Sequence, residues 1–91
     1  LDGKQAFDLQ QNYPNPFNPS TKIEFAIPHG GFVTLKIYDM LGREVESLLN
    51  ENMKPGSYNY DFDASHLSSG VYFYRIDTEG FSDVKKMMLI K

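Results

Sequence analysis

Apolar and polar side chains alternate along most of this sequence, and that alternation constrains the fold more than any other feature. Residues 21–28, TKIEFAIP, and residues 32–39, FVTLKIYD, each carry an apolar side chain at every second position. A period of two is the spacing of a β-strand that has one face in a core and the other in water. The apolar positions of the two segments are Ile23, Phe25, Ile27, Val33, Leu35 and Ile37. Both segments are therefore predicted to be strands.

The same pattern predicts further strands. It recurs in residues 54–63, KPGSYNYDFD, and 70–77, GVYFYRID, and the last candidate is 81–91, FSDVKKMMLIK. A short strand is predicted in residues 7–11, FDLQQ. Residues 43–51, REVESLLNE, fit either a strand with a bulge or one helical turn, and we favour the strand. Further inward side chains are predicted at Tyr58, Tyr60, Phe62, Tyr72, Tyr74 and Ile76.

Short strands separated by glycine or proline, with no helix of useful length, predict an all-β fold. The expected architecture is an antiparallel immunoglobulin-like β-sandwich of about seven strands, with a small barrel as the alternative. Gly42 is the predicted left-handed residue of the tight connection DMLGREV. The 91 residues suffice for one domain, predicted over residues 7–91 and preceded by a linker end over residues 1–6.

Composition excludes several classes of function. A net charge of −3 argues against a nucleic-acid partner. The absence of cysteine excludes disulfides and thiolate chemistry. The longest apolar run, Met87 to Ile90, is too short to span a membrane. The opening residues LDGKQAF lack the basic and apolar regions of a signal peptide, so we expect an exported protein of this kind to carry its signal upstream.

Three prolines restrict the backbone within residues 11–21, QNYPNPFNPST. Pro14, Pro16 and Pro19 each lack an amide donor and hold the preceding residue away from the helical region. Such a stretch cannot lie in the middle of a sheet. Residues 13–19, which we call the strap, are therefore predicted to run along an edge or across an end of the sandwich.

Phe17 is the large apolar side chain of the strap that we expect to anchor it in the core. Asn15 and Asn18 are expected to bond local amides through Asx-turns. A proline-rich ligand for an aromatic groove is the less favoured interpretation, because Phe17 and the following strand would have no role in a free peptide.

The candidates for catalysis or metal binding have ordinary explanations. His29 and His66 lie in turn-like segments beside glycine or serine, where a solvated histidine is expected. Asp61 and Asp63 share a strand face, yet no D-x-D-x-D-G calcium loop is present. The other side chains considered are Asp39, Glu44, Glu46, Ser65, Ser68 and Ser69, and no G-x-S-x-G motif surrounds the serines. We therefore predict no catalytic residue, no metal site and no cofactor.

Exposed apolar side chains are more informative. If the inward positions are as assigned, Phe32, Tyr38 and Phe73 point outward, and both faces of residues 85–91, KKMMLIK, are apolar with basic ends. Either the sheet covers both faces of this last strand, or the strand lies near an edge and presents a docking surface. An edge strand also leaves open a weak homodimer through the last strand. Unchanged partner binding by a folded chain that lacks residues 85–91 would contradict the docking interpretation.

Several motifs together resemble a known family. LQQNYPNPFNPST is followed by KIEFAIP, VTLKIYDMLGREV, KPGSYNYDFDASHLSSGVYFYRI and a lysine-flanked last strand. In this order, over residues 7–91, they closely resemble the type A C-terminal sorting domain of the type IX (Por) secretion system. NYPNPFNPST together with SSGVYFYR is the specific part of the match, whereas DMLGREV alone would be weak.

The resemblance implies a non-catalytic β-sandwich that serves as the C-terminal secretion and sorting signal of a larger secreted protein from a Bacteroidetes-like bacterium. Its implied partners are the covalently linked upstream cargo, the outer-membrane translocon that recognises the folded domain, and a sortase-like peptidase. The peptidase would cut in or before LDGKQA. The cargo would pass through the periplasm and be attached to surface lipopolysaccharide or released.

The motifs of the family correspond to particular residues of this chain. The P-x-G-x-Y motif corresponds to Pro55, Gly56 and Tyr58, with Pro55 directly before Gly56, so the spacing that is kept is G-x-Y. The G-x-Y motif falls on Gly70 and Tyr72, and the basic terminal strand on Lys85, Lys86 and Lys91. The glycines open strands and the tyrosines point inward by alternation, so both motifs are interpreted mainly as fold-forming. The terminal lysines have no predicted core role and are the candidates for contact with the translocon.

Two other functions stay open from the residues alone. One is an immunoglobulin-like accessory module for adhesion or carbohydrate binding, or a module like the flagellar hook-cap fold. Phe32, Tyr38 and Phe73 would stack on sugar rings if they shared a sheet face. The other is a pure spacer.

Overall fold

A computed structural model describes residues 6–91, in which seven β-strands and no helix occur. The strands are β1 (Asp8–Leu9), β2 (Ser20–Ile27), β3 (Gly31–Tyr38), β4 (Glu44–Met53), β5 (Gly56–Asp63), β6 (Gly70–Thr78) and β7 (Phe81–Leu89). Most of the predicted linker, residues 1–5, lies outside the described residues. Across residues 6–91 there is no helix long and apolar enough to cross a membrane.

The strands form two separate sheets. One has the order β1-β2-β5 and the other the order β4-β3-β6-β7, and every pair of neighbouring strands is antiparallel. Buried side chains from both sheets form one core cluster. The predicted all-β antiparallel sandwich of seven strands is confirmed, and the two open sheets replace the small barrel that was the alternative.

Most of the core side chains are those that alternation assigned to it, although the assigned Tyr58 and Tyr60 are only partly buried. Those with 0% exposure include Ile23, Leu35, Ile37 and Tyr74. Each large apolar side chain buried in this way stabilises the fold by about 1.5–3 kcal/mol. The hydroxyl of Tyr74 donates to the backbone oxygen of Gln10 at 2.6 Å. Burial raises the pKa of Tyr74 to about 12, so the phenol remains protonated and keeps this bond at neutral pH.

β4 settles the most ambiguous part of the sequence, and the favoured strand is confirmed. Its pairing with β3 shifts register between Leu35 and Lys36 and again between Ile37 and Tyr38. At the first shift Leu35 pairs with Leu49 while Lys36 pairs with Ser47, so Leu48 is an extra residue on β4. A β-bulge of this kind interrupts the period of two, because one inserted residue moves the following side chains to the other face.

The connection between β3 and β4 is held by an aspartate. Asp39 Oδ1 accepts the amides of Leu41 and Arg43 at 2.9 and 3.0 Å, and Arg43 Nε lies 2.8 Å from Asp39 Oδ2. The amide of Arg43 is the main reason that the pKa of Asp39 is lowered. Gly42 has the predicted positive φ, 82°. The tip projects Met40 and Leu41 into solvent.

Candidate functional site

The strap joins the two sheets along one side of the sandwich. At its start, Tyr13 exchanges backbone hydrogen bonds of 3.0 and 2.9 Å with Lys22 of β2. Further along, the amide of Phe17 donates to Met88 O of β7, and Phe17 O accepts the amide of Ile90, both at 2.9 Å. The strap therefore pairs with the three-stranded sheet and then with the last strand of the four-stranded sheet.

Phe17 is the buried part of the strap. Its side chain is 2% exposed, and its ring centroid lies 6.3 Å from that of Phe62. Pro14 and Pro16 are exposed and Pro19 is half-buried. All three X–Pro peptide bonds of the strap are cis. The carbonyl of Pro19 accepts the amide of Ala64 at 2.8 Å, so a backbone oxygen of the strap is used on the β5 side as well.

A buried asparagine that the sequence did not single out organises the start of the strap. Asn12 is 2% exposed, and its Nδ2 donates to Pro14 O at 3.1 Å and to Thr21 Oγ1 at 3.0 Å. Thr21 Oγ1 in turn donates to Pro14 O at 2.8 Å. These bonds satisfy polar groups that would be costly to bury unpaired. The only sequence signal was that an asparagine and a threonine flank the proline-rich stretch.

Asn15 departs from its predicted local role. Its Oδ1 accepts the amide of Met88 in β7 at 2.9 Å, and no local Asx-turn is formed by this side chain. Next to this bond, Gln11 Nε2 donates to Lys86 O at 2.7 Å. Backbone groups of β7 thus receive partners from a segment about 70 residues earlier in the chain.

β7 lies at the edge of its sheet, and part of that edge is covered. The strap and Gln11 bond to the backbone from Lys86 to Ile90, and the amide of Val84 bonds its neighbouring side chain, Asp83 Oδ1, at 2.8 Å. The predicted edge position is therefore observed, but the strap and Gln11 occupy most of the outward backbone groups in the C-terminal half of β7. A second copy that paired with this half would have to displace the strap.

The three terminal lysines have different surroundings. Lys86 is exposed on the outward face of β7, whereas Lys85 is half-buried on the inward side. Lys91 Nζ donates to Ser65 O at 2.6 Å, and its amide donates to Ser69 Oγ at 2.9 Å. Lys91 therefore ties the end of the chain to the β5–β6 connection, a structural contact that the sequence did not predict.

Acid should weaken this connection through Asp63. The amide of Ser65, 2.9 Å from Asp63 Oδ1, is the main reason that the pKa of Asp63 lies below its ordinary value of 3.8. A carboxylate with a lowered folded-state pKa stabilises the fold above its unfolded-state pKa, and that contribution disappears as the pH falls through the folded-state pKa. We expect Asp63→Asn to lower the melting temperature slightly at about pH 6 and not at about pH 2.5. Circular-dichroism melts of both chains across this range measure the difference, and a constant difference would contradict the assignment.

The two motif tyrosines, Tyr58 and Tyr72, make the same kind of hydrogen bond to the backbone. The hydroxyl of Tyr58 donates to Lys54 O at 2.6 Å, and the hydroxyl of Tyr72 donates to Ser68 O at 2.7 Å. In both copies the acceptor lies four residues earlier, across the turn that leads into the strand. A tyrosine that bonds back to upstream backbone is a known way to fix the entry of a strand in sandwich folds. The repeated G-x-Y spacing was the available sequence signal.

The motif glycines have a backbone conformation that disfavours other residues. Gly56 and Gly70 have φ values of 152° and 156°. A Cβ on Gly70 would meet no atom within 4 Å, so the conformation alone is the obstacle there. At Gly56 the added Cβ would contact the ring of Tyr58 at 3.8 Å. The two glycines thus allow the turn that brings each hydroxyl to its carbonyl.

Replacing Gly70 by alanine is expected to cost about 1–3 kcal/mol, because the strained backbone persists while no clash arises. Gly31 is the matched control, since it also opens a strand, has no positive φ and has no atom within 4 Å of an added Cβ. We expect Gly31→Ala to stay within about 0.5 kcal/mol of wild type. Urea titration of the three chains measures both effects, and equal stabilities for the two variants would contradict the conformational argument.

The residues considered for catalysis do not form a single cluster, because His29 lies apart from the group at the β5–β6 connection. His66 Nε2 lies 2.7 Å from Glu46 Oε1, an exposed pair that links the β5–β6 connection to β4. His29 is close to Phe7, with ring centroids 6.5 Å apart. Asp63 bonds the amide of Ser65 and contacts neither histidine through a hydrogen bond. Within residues 6–91 no group of three or more His, Asp or Glu side chains is arranged to hold a metal ion.

The three aromatic side chains that were predicted to point outward lie on the outward face of the four-stranded sheet. Tyr38 of β3 and Phe73 of β6 are direct neighbours across the two strands, and Phe73 is the neighbour of Lys86 on β7. Phe32 lies on the same strand as Tyr38, about 20 Å away at the opposite end. Two of the three predicted outward aromatics therefore form one patch.

Comparison with known families assigns the chain to one of them. A family model described as "Secretion system C-terminal sorting domain" matches residues 11–91. The chain belongs to this family of type IX secretion sorting domains. Membership makes it a C-terminal sorting signal, in a family that is non-catalytic in general, and implies export to the cell surface or the extracellular space.

Among solved structures, the sorting domain is similar to PorZ of Porphyromonas gingivalis, described as an essential bacterial surface component of the type IX secretion system. The likeness has a TM-score of 0.61 at 20% sequence identity, and it covers 94% of this chain and 12% of the PorZ chain. At this identity it shows a shared fold. A comparison with curated protein sequences finds no match.

Proposed function

We propose that this sorting domain directs a covalently linked upstream cargo to the outer-membrane translocon of the type IX system as a folded body. A sortase-like peptidase then removes the domain in or before residues 1–6, and the cargo is attached to the cell surface or released. The match of the family over residues 11–91 carries this proposal.

The fold supports recognition of the domain as a folded body. Met87 and Leu89 of the last strand are each 1% exposed, and the strap bonds the same strand from its outer side. The last strand is thus integrated into the core, in contrast to a free terminal tail. We infer that the translocon contacts Lys86, which points outward from this strand, ahead of the other two candidates, Lys85 and Lys91.

Fusion of the chain to a periplasmic reporter tests the proposal. The reporter alone and the reporter with residues 1–91 attached are expressed in a host with a working type IX system and in a host that lacks the translocon. We expect the fusion on the cell surface or in the medium of the first host only. Retention of the fusion in the periplasm of both hosts would refute the proposed signal function.

The exposed terminal lysines provide a sharper test. We expect Lys86→Ala with Lys91→Ala to reduce export of the fused reporter several-fold. The melting temperature should change by only a few degrees, because Lys86 is exposed and Lys91 loses about one hydrogen bond. Lys22→Ala, which removes an exposed lysine from the other sheet, is the control and should export normally. Normal surface display of the double variant would exclude these lysines as contacts.

A carbohydrate-binding accessory module is the second candidate, and the pairing of Tyr38 with Phe73 on one outward face favours it. Aromatic neighbours of this kind are able to stack on sugar rings. That function would be supported if the isolated chain bound to a glycan array, if Phe73→Ser abolished this binding and if Phe32→Ser retained it. The absence of any glycan binding together with failed export would leave only a spacer.

A further inference from the structure

A groove of about 320 Å³ lies on the outward face of the four-stranded sheet. Tyr38 of β3, Phe73 of β6 and Val84 of β7 line it, together with Met40 from the β3–β4 connection. Val84 is 47% exposed and Met40 is 70% exposed. A contiguous apolar surface of this kind on a small domain marks an interaction site more often than isolated exposed residues do.

Cationic side chains surround the groove. Arg75 lines it, Lys86 is the cross-strand neighbour of Phe73, and Lys36 is the cross-strand neighbour of Arg75. The Nε of Arg75 bonds Asp77 at 2.9 Å, which leaves the two terminal nitrogens of the guanidinium without a hydrogen bond to residues 6–91. Lys86 forms no ion pair with any of the described residues.

Acidic side chains at this groove are already compensated. Asp39, the one carboxylate among the described residues that line the groove, lies 2.8 Å from Arg43 Nε and accepts two backbone amides. Glu44, at the end of β4, lies 3.4 Å from Lys36. Asp77 pairs with Arg75 in the same way, so Lys86 is the cation of this face that has no ion pair within residues 6–91, and Arg75 keeps free donors. Beside an apolar floor, these two groups are complementary to a small number of carboxylates.

The outward face of the other sheet has the opposite charge. Its ionisable side chains are Asp8, Glu24, Asp61, Asp63 and a single lysine, Lys22. The groove face has four cationic side chains and three carboxylates. The cations are Lys36, Arg43, Arg75 and Lys86, and the carboxylates are Asp39, Glu44 and Asp77. Within residues 6–91, the slightly cationic apolar surface thus lies on the groove face, in a chain whose net charge is −3.

We propose that this groove is the docking site for an acidic polypeptide segment of the export machinery in which carboxylates accompany large apolar side chains. The proposal rests on the proposed function, since a folded sorting signal needs a surface that its receptor reads. Apolar side chains of the segment occupy the space between Tyr38, Phe73 and Val84. Its carboxylates bond the free guanidinium nitrogens of Arg75 and the ammonium of Lys86, which are charge-assisted contacts.

The charge count favours a polypeptide over an anionic membrane. Surfaces that bind anionic lipids present clusters of about four to eight lysines and arginines. The four cations of this face are interleaved with three carboxylates, and aromatic side chains separate Arg75 from the tip of the β3–β4 connection. A segment with a few carboxylates at defined positions fits this arrangement better than a uniform anionic surface.

The test titrates the ¹⁵N-labelled 91-residue chain with a capped peptide that contains Glu-Leu-Glu-Leu between serines. Its counterpart has glutamine in place of glutamate. We expect the first peptide to shift the amide signals of Tyr38, Phe73 and Val84, and to bind at least about ten-fold more tightly than the second. Arg75→Gln with Lys86→Gln should remove that advantage, whereas Lys22→Gln should keep it.

Three results would overturn the docking site: equal binding of both peptides, signal shifts centred on β2 and β5, or unchanged binding by the double variant. Vesicles with about a quarter phosphatidylglycerol in phosphatidylcholine form the other arm. If vesicles bind through Arg75 and Lys86 and the peptide does not, the surface recognises a membrane and the polypeptide proposal is wrong.

Reporter export separates this proposal from the proposed function. If the wild-type fusion is exported and the Arg75→Gln with Lys86→Gln fusion is exported equally well, the docking site is refuted and the signal function stays intact. If the wild-type fusion is not exported, the signal function is refuted. The peptide titration still tests the groove, because that experiment does not depend on export.

Discussion

Replacing Phe17 by alanine should lower the free energy of unfolding by about 3–5 kcal/mol, the cost of truncating a buried phenylalanine. The side chain belongs to the strap, which has no regular secondary structure, yet it is 2% exposed and packs near Phe62. The backbone of Phe17 is held to Met88 and Ile90 by two hydrogen bonds, so the strap cannot collapse freely into the cavity. For a domain of this size the melting temperature should fall by roughly 15–25 °C in circular dichroism.

Tyr13→Ala is the control for this experiment. Tyr13 is 80% exposed, belongs to the same strap and also pairs through its backbone with a strand. Its loss should change the unfolding free energy by no more than about 0.5 kcal/mol. If both variants lost a similar amount, or if Phe17→Ala cost less than about 1 kcal/mol, Phe17 would not anchor the strap.

The sequence predicted best what depends on local spacing. β2 and β3 were read correctly because a period of two, sustained over eight residues, fixes both the strand and its buried face. The same reasoning assigned Tyr72, Tyr74 and Ile76 of β6 to the core, and all three are buried. In such segments the extended backbone itself places alternate side chains on opposite faces, so the sequence pattern alone is enough to predict both.

Prediction was weaker where a feature depends on how two strands pair. The bulge at Leu48 of β4 exists only relative to its partner strand, since Leu35 and Lys36 fix where the extra residue falls. From the sequence of β4 alone, Val45 and Leu48 had the spacing of a helical turn as readily as that of a bulged strand. Strand pairing, which the sequence does not state, decided between the two.

The candidate site depended on contacts that are distant in sequence. Asn15 appeared suited to a local turn, but its oxygen bonds Met88, and Lys91 appeared free, but its ammonium bonds Ser65. Both contacts need the two sheets to be assembled before the groups meet. The resemblance to sorting domains identified the motif positions, while the hydroxyl bonds of Tyr58 and Tyr72 required coordinates.

Deleting residues 85–91 should abolish cooperative folding. The deletion removes Met87 and Leu89, both 1% exposed, and truncating such side chains even to alanine costs about 2–5 kcal/mol each. It also removes the backbone partners of Phe17 and of the Gln11 side chain. A domain of this length has a total stability of about 5–14 kcal/mol, so these losses together are of the same size as the whole. We expect no cooperative thermal transition and no near-ultraviolet signal from fixed tyrosines.

This expectation changes how deletion of the last strand must be interpreted. Loss of partner binding on deletion would follow from unfolding, and would not by itself demonstrate docking at residues 85–91. Lys86→Ala with Ile90→Ala provides the matched control, because both side chains point outward from the same segment and Ile90 is 50% exposed. That variant should melt cooperatively within about 5–10 °C of wild type. Should the truncated chain instead melt as cooperatively as this control, the last strand would be an appendage to the sandwich, and recognition of a folded body would have to be replaced by recognition of a detachable tail.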